Sequence, residues 1–75
     1  MNKIRRQRLQ DIKTMLSDIK EMLEEIYNDE SDSYDNLPDG IQQSTRGDEM
    51  SDNMDELEDI IDKIDCVIDR FNNIK

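Results

Sequence analysis

The fold is decided by residues 50–71, which read MSDNMDELEDIIDKIDCVIDRF. Apolar side chains recur there at alternating steps of four and three residues, which is the 3.5-residue repeat of a coiled-coil seam. The same repeat runs through residues 9–26, so two amphipathic helices are predicted. Their seam residues are Leu9, Ile12, Leu16, Ile19, Leu23 and Ile26 in the first helix, and Met50, Met54, Leu57, Ile61, Ile64, Ile68 and Phe71 in the second.

The segment between the two repeats predicts a chain reversal. Residues 28–47 are rich in Asp, Ser and Asn and contain the only proline and both glycines. Pro38 disfavours helical geometry at the residue before it, and Asp39-Gly40 favours a turn. The chain is therefore expected to turn back on itself near its middle.

The predicted fold class is all-α, with one domain over residues 1–75 folded as an antiparallel, coiled-coil-like helical hairpin. The first helix is expected to span about 3–34, the tip loop about 35–44 and the second helix about 45–74. We further expect two hairpins to dimerise into a four-helix bundle.

The two seams fit one another when the chain folds back antiparallel. Paired residue numbers then sum to 80, which places the pivot at Gly40. One layer beyond the seam, Ser33 is expected to meet Gly47, because two small residues let helices approach closely. Thr45 and Asp48 are expected to open the second helix as a weak capping box. The seam pairs are Leu9 with Phe71, Ile12 with Ile68, Leu16 with Ile64, Ile19 with Ile61, Leu23 with Leu57, and Ile26 with Met54.

An additional apolar column beside each seam predicts self-association. It occupies the g position of the heptads and widens each stripe to the face of a bundle helix. A lone hairpin would leave this column in water, so a homodimer or larger assembly is favoured. The alternatives are a monomer whose own long side chains cover the column, and a different partner surface. The column consists of Met15, Met22, Ile60, Val67 and Ile74.

The residue inventory argues against catalysis. The chain has no histidine and one cysteine, Cys66, so it offers no zinc site and no Cys–His nucleophile pair. A calcium loop starting at Asp35 fails because Arg46 stands where a bidentate Glu must bind the ion. Cys66 lies on the outer side of its helix and is expected to be an inert surface thiol. We therefore expect a protein that is not an enzyme and has no catalytic residue, metal, cofactor or small-molecule substrate.

The charge balance limits the partners. Twenty acidic against 10 basic residues give a net charge of -10, which repels nucleic acid and anionic membranes. Residues 1–13 nevertheless carry a net charge of +4. We expect Asp62, Asp65 and Asp69 to neutralise this basic start within the hairpin, in preference to a nucleic-acid-binding arm. Neither direct nucleic-acid binding nor membrane binding is expected.

The second helix concentrates the negative charge. From Asp48 to Asp69 it holds ten carboxylates and one lysine. That charge of -9 over about 33 Å of helix approaches the density of one charge per ~3.4 Å along a single DNA strand. One interpretation is a rod that imitates a nucleic-acid strand in a basic groove; the other is a solvated surface. The candidate partner-binding residues are Asp52, Asp55, Glu56, Asp59 and Asp62.

The tip carries a distinctive pair of segments, residues 34–38 (YDNLP) and residues 42–47 (QQSTRG). They resemble a linker that joins two acidic amphipathic helices in small uncharacterised proteins of bacteriophages and prophages. The resemblance implies a phage or mobile-element setting, and with it the cytoplasm of a bacterial host cell. We expect Arg46 to bridge Asp35 or Asp39, and the tip either recognises a partner or simply caps the helices. The candidate tip residues are Tyr34, Asp35, Asn36 and Arg46.

Together these patterns favour a small acidic binding protein, phage-encoded, that docks on a basic nucleic-acid-binding surface of a host protein as an inhibitor of the anti-defence, anti-CRISPR-like kind. The alternative is a structural or assembly module that oligomerises through its apolar helix flank.

Overall fold

Two long antiparallel helices make up most of the protein. The computed structural model describes residues 1–75 and contains helices α1 (Lys3–Asp35), α2 (Asp39–Gln42) and α3 (Thr45–Arg70). A 3₁₀ turn, Phe71–Asn73, follows α3. The molecule is a rod of 59 × 15 × 12 Å. The predicted all-helical hairpin is confirmed, although α3 ends four residues before the predicted boundary.

Local sequence signals set both ends of α1. The side chain of Asn2 accepts a hydrogen bond from the backbone N–H of Arg5 at 2.8 Å, which satisfies one of the free donors at the start of the helix. At the other end, the N–H of Asn36 donates to the carbonyl of Asp32 at 3.1 Å. Pro38 follows two residues later, so the predicted helix break before the proline is confirmed.

The tip differs from the predicted loop because it contains α2. Pro38 presets its first turn, and its carbonyl accepts hydrogen bonds from the N–H groups of Ile41 and Gln42. Asp39-Gly40 therefore starts a helical turn rather than forming a tight reversal. The side-chain amide of Gln42 donates a hydrogen bond to the backbone carbonyl of Tyr34 at 3.0 Å, which links α2 to the end of α1.

The start of α3 corrects two further predictions. Ser44 is the N-cap residue, and its hydroxyl donates to the carbonyl of Ile41 instead of capping α3, so the predicted capping box is wrong. Gly47 is the only buried residue of the protein. A Cβ there would lie 2.8 Å from the Cα of Gln42, and Ser33 is exposed. Glycine is thus needed at position 47 because α2 lies against the start of α3, and not because Ser33 approaches it.

The seam between α1 and α3 has no fully buried apolar side chain. The six seam residues of α3 and Phe71 of the 3₁₀ turn are half-buried, and so are Leu9, Leu16 and Leu23 of α1. Ile12, Ile19 and Ile26 are 44%, 45% and 52% exposed, so the predicted layers that contain them are not enclosed. The reason is that α1 faces α3 with the leucines and with Lys13, Lys20 and Tyr27, which cross to α3.

Candidate interaction surfaces

One long side of the hairpin is closed by polar contacts, and we call it the polar edge. Lys13 donates to Asn72 at 2.8 Å, and one heptad further along Lys20 donates to Asp65 at 2.8 Å. The hydrogen bond of Lys20 to Asp65 is the main cause that raises the pKa of the lysine. With Leu9 and Met54 at position a of their heptads, each pair joins two e positions, as the geometry of an antiparallel pair requires. The polar edge comprises Lys13, Lys20 and Tyr27 of α1, Glu58 and Asp65 of α3, and Asn72 of the 3₁₀ turn.

The opposite side of the hairpin is apolar and uncovered, and we call it the open stripe. It contains the five residues predicted for the oligomer flank, all of which are exposed, together with the three isoleucines that α1 does not enclose. Their exposed fractions range from 41% to 61%. Monomeric proteins rarely expose a contiguous apolar surface of this kind without a partner. The open stripe comprises Ile12, Met15, Ile19, Met22, Ile26, Ile60, Val67 and Ile74.

The five predicted partner-binding carboxylates lie together on the outer surface of α3, which we call the acidic face. All five are exposed, and Asp59 is the only one with an ion pair, to Lys63 at 2.7 Å. The hydrogen bond to Asp59 raises the pKa of Lys63. The other four carboxylates form no ion pair. The acidic face comprises Asp52, Asp55, Glu56, Asp59 and Asp62.

The cations of the chain gather at the end of the rod away from the tip, and we call residues 1–13 and 70–75 the basic end. It holds seven cations and one carboxylate. Arg6 and Lys75 line one cleft of about 440 Å³ there, together with Lys13. None of the four cations that precede Leu9 forms an ion pair, so the predicted neutralisation by α3 is wrong for them. The only ion pair between the long helices joins Lys20 to Asp65.

The salt bridge expected at the tip is absent. Arg46 is exposed and forms no ion pair with Asp35 or Asp39. The two tip groups with structural contacts are the carbonyl of Tyr34 and the backbone N–H of Asn36. The tip geometry therefore depends on backbone hydrogen bonds rather than on charge.

Three further observations concern the thiol, metal ligands and membrane-spanning segments. Cys66 is an exposed free thiol. No group of three or more His, Cys, Asp or Glu side chains has the arrangement of a metal site. None of the helices has the length and apolar character needed to traverse a lipid bilayer. The open stripe, the acidic face and the basic end are the surfaces considered for binding.

Sequence reasoning found the acidic face and part of the open stripe, but it missed three members of the stripe. Ile12, Ile19 and Ile26 were assigned to the hairpin seam because the 3.5-residue repeat cannot distinguish which two columns of a three-column face meet the partner helix. The residues at the e positions of the two repeats indicate which side of α1 faces α3. Lys13 and Lys20 lie opposite Asn72 and Asp65, and this complementarity turns α1 toward its e side.

Comparison with known proteins adds no relative. No protein family, curated protein or solved structure matches this chain. The proposals below therefore rest on the three surfaces.

Proposed function

We propose that the protein is a small non-enzymatic binding protein that docks its acidic face on a basic, nucleic-acid-binding surface of another protein and inhibits it. The setting that we propose is a bacteriophage or prophage, with the inhibitor acting in the cytoplasm of the host cell against a defence system or other host machinery. One observation carries the proposal: all five carboxylates of the acidic face are exposed, and four of them form no ion pair.

The cost of this arrangement supports a role in recognition. Asp52 and Glu56, and likewise Asp55 and Asp59, are like-charged residues four positions apart, which destabilises a helix by a few tenths of a kcal/mol per pair. A face that served solubility alone would gain stability from mixed charges. An unpaired row of carboxylates instead attracts a basic partner over long range and speeds its association.

A second candidate function is assembly, and the open stripe favours it. Eight exposed apolar side chains on one side of a hairpin without a buried core are suited to a second copy or to a larger phage component. We propose that two chains dimerise through the open stripe into a four-helix bundle. The acidic face lies outside this interface, so dimerisation and docking on a basic partner are compatible.

The docking proposal is tested with a variant that neutralises the acidic face without changing side-chain size. Its melting temperature should rise slightly, because the i,i+4 repulsions are relieved, while binding to a basic partner weakens. The probe is a bacterial lysate passed over the immobilised protein, with bound proteins eluted by single-stranded DNA. The substitutions are Asp52→Asn, Asp55→Asn, Glu56→Gln, Asp59→Asn and Asp62→Asn.

A matched control removes the same charge elsewhere. It should retain the DNA-eluted protein that the acidic-face variant loses, because only the carboxylates on α3 face the partner. Equal capture by the parent and both variants would contradict docking through the acidic face, and the assembly function would take its place. The control substitutions are Asp11→Asn, Asp18→Asn, Glu21→Gln, Glu24→Gln and Asp39→Asn.

A further inference from the structure

We infer that the partner seated on the open stripe is a second copy of this chain in antiparallel orientation, with the basic end of each hairpin beside the acidic residues near the tip of the other. This inference rests on the dimerisation proposed above and specifies its geometry. It follows from three features: the order of residues along the stripe, the distribution of charge along the rod, and the apolar area that the stripe offers.

The open stripe of α1 reads the same in both directions. Its apolar residues follow the order Ile, Met, Ile, Met, Ile from Ile12 to Ile26, with Ile19 at the centre. The charged residues that flank this run at the same heptad position are Arg8 on one side and Asp29 on the other. A two-fold interface requires that a surface be complementary to itself. Reversal about Ile19 meets this requirement, because it brings Ile12 opposite Ile26 and leaves the Met15–Met22 and Arg8–Asp29 pairs offset by one residue, about 1.5 Å along the helix axis.

The flanking charges have no partners within their own chain. Arg8 and Asp29 are both exposed, and neither forms an ion pair. They lie 21 residues apart on one straight helix, a distance of about 32 Å. The two residues therefore cannot pair in the monomer, whereas two copies related by the two-fold axis bring them together twice.

The charge along the whole rod favours the same orientation. Around Ile19, the antiparallel arrangement places residues 3–13 beside residues 25–35 of the second copy. The first segment carries five cations and one carboxylate, and the second carries five carboxylates and no cation. A parallel dimer would instead place the two basic ends side by side and the two acidic tips side by side. Like-charge contact of that kind opposes association.

The apolar area of the open stripe is close to the apolar area that a standard homodimer interface buries per partner. Eight side chains, each about half exposed, together offer on the order of 500 Å² of apolar surface. A standard interface buries about 800 Å² per partner, of which about 65% is apolar in homodimers. The polar residues that border the stripe supply the remainder, so a second copy covers the stripe without any further component.

A charge exchange between residues 8 and 29 tests the orientation. Arg8→Glu should weaken dimerisation about 5- to 30-fold in sedimentation equilibrium, because two attractive contacts per dimer become repulsive. The double variant Arg8→Glu/Asp29→Arg should regain the affinity of the parent. Lys63→Glu makes the same change of net charge on α3, outside the stripe and outside both charged segments, and it should leave dimerisation within about 3-fold of the parent.

Cross-linking provides a second readout that does not depend on affinity. In a background with Cys66→Ser, the variants Arg8→Cys and Asp29→Cys are mixed under mild oxidation. The antiparallel dimer predicts a disulfide between the two variants and none within either variant alone. A dimer without this mixed disulfide and without rescue by the double variant would overturn the antiparallel orientation. A monomeric parent would overturn the proposed dimerisation as well.

Discussion

The phenol of Tyr27 donates a hydrogen bond to Oε1 of Glu58 at 3.2 Å, which links α1 to α3 one heptad from the Lys20–Asp65 ion pair. The negative charge of Glu58 raises the pKa of Tyr27 above its ordinary value, and the hydrogen bond adds to this effect. The phenolate cannot donate this bond and would repel the carboxylate. The contact thus exists only while the tyrosine is protonated.

The titration of Tyr27 follows from this contact. In a Tyr34→Phe background, where Tyr27 is the only tyrosine, we expect its phenolate absorbance to appear at a higher pH than in free tyrosine. Adding Glu58→Gln should bring the titration back toward the ordinary pKa, because the charge is removed. An unchanged titration in the Glu58→Gln variant, with helicity retained by circular dichroism, would contradict the contact.

The Tyr27–Glu58 and Lys20–Asp65 contacts together predict destabilisation at alkaline pH. The pKa values of Tyr27 and Lys20 are both raised in the folded state. The two contacts therefore contribute fully to stability below the pKa values that tyrosine and lysine have in the unfolded chain, at about pH 10. This contribution is lost as the pH rises through the higher pKa values of the folded state. Thermal unfolding should show a midpoint that falls above about pH 10 in the parent. The fall should be smaller in a Tyr27→Phe/Lys20→Met variant.

The two glycines predict opposite responses to alanine. Gly40→Ala should stabilise the protein by about 0.4–1 kcal/mol, because a Cβ there meets nothing within 4 Å and the unfolded chain loses freedom. Gly47→Ala should destabilise it despite the better helix propensity of alanine, because its Cβ would collide with the backbone of Gln42. Urea unfolding of both variants checks this pair. Stabilisation by Gly47→Ala would show that α2 does not pack against the start of α3.

The side of α1 that meets α3 can be tested with two substitutions of the same type. Leu16→Ala should lower the free energy of unfolding by about 1–3 kcal/mol, because Leu16 is half-buried in the seam. Ile4→Ala should change it by less than about 0.5 kcal/mol, since Ile4 is 72% exposed and lies off the open stripe. Equal effects in chemical denaturation would show that the leucine column does not face α3.

The helices and their pairing were predictable from the sequence, but the rotation of α1 was not. The helices and their antiparallel pairing follow from the heptad repeat and from Pro38, because both are local patterns with a single structural meaning. The rotation of α1 was not predictable from the apolar pattern. It depends on Tyr27 and Lys20 crossing to α3, which is a property of two helices together.

The tip shows the same limit on a smaller scale. Asp39-Gly40 is a turn signal, but after Pro38 it also suits the first turn of a helix, and the hydrogen bonds of α2 to Pro38 and Tyr34 decide between the two. Arg46 was expected to pair with a nearby carboxylate, yet the backbone already fixes the tip. Spacing in sequence does not reveal which of the possible polar contacts is present in the fold.

In the dimer that we propose, a second copy of the chain covers the open stripe. Sedimentation equilibrium of the full chain measures this directly. We predict twice the 8.9 kDa chain mass for the parent and for Ile4→Glu, and 8.9 kDa for Met22→Glu/Val67→Glu, which places charges on the stripe. The thermal midpoint of the parent should rise with protein concentration. A parent of 8.9 kDa, with a cooperative midpoint independent of concentration, would contradict the account.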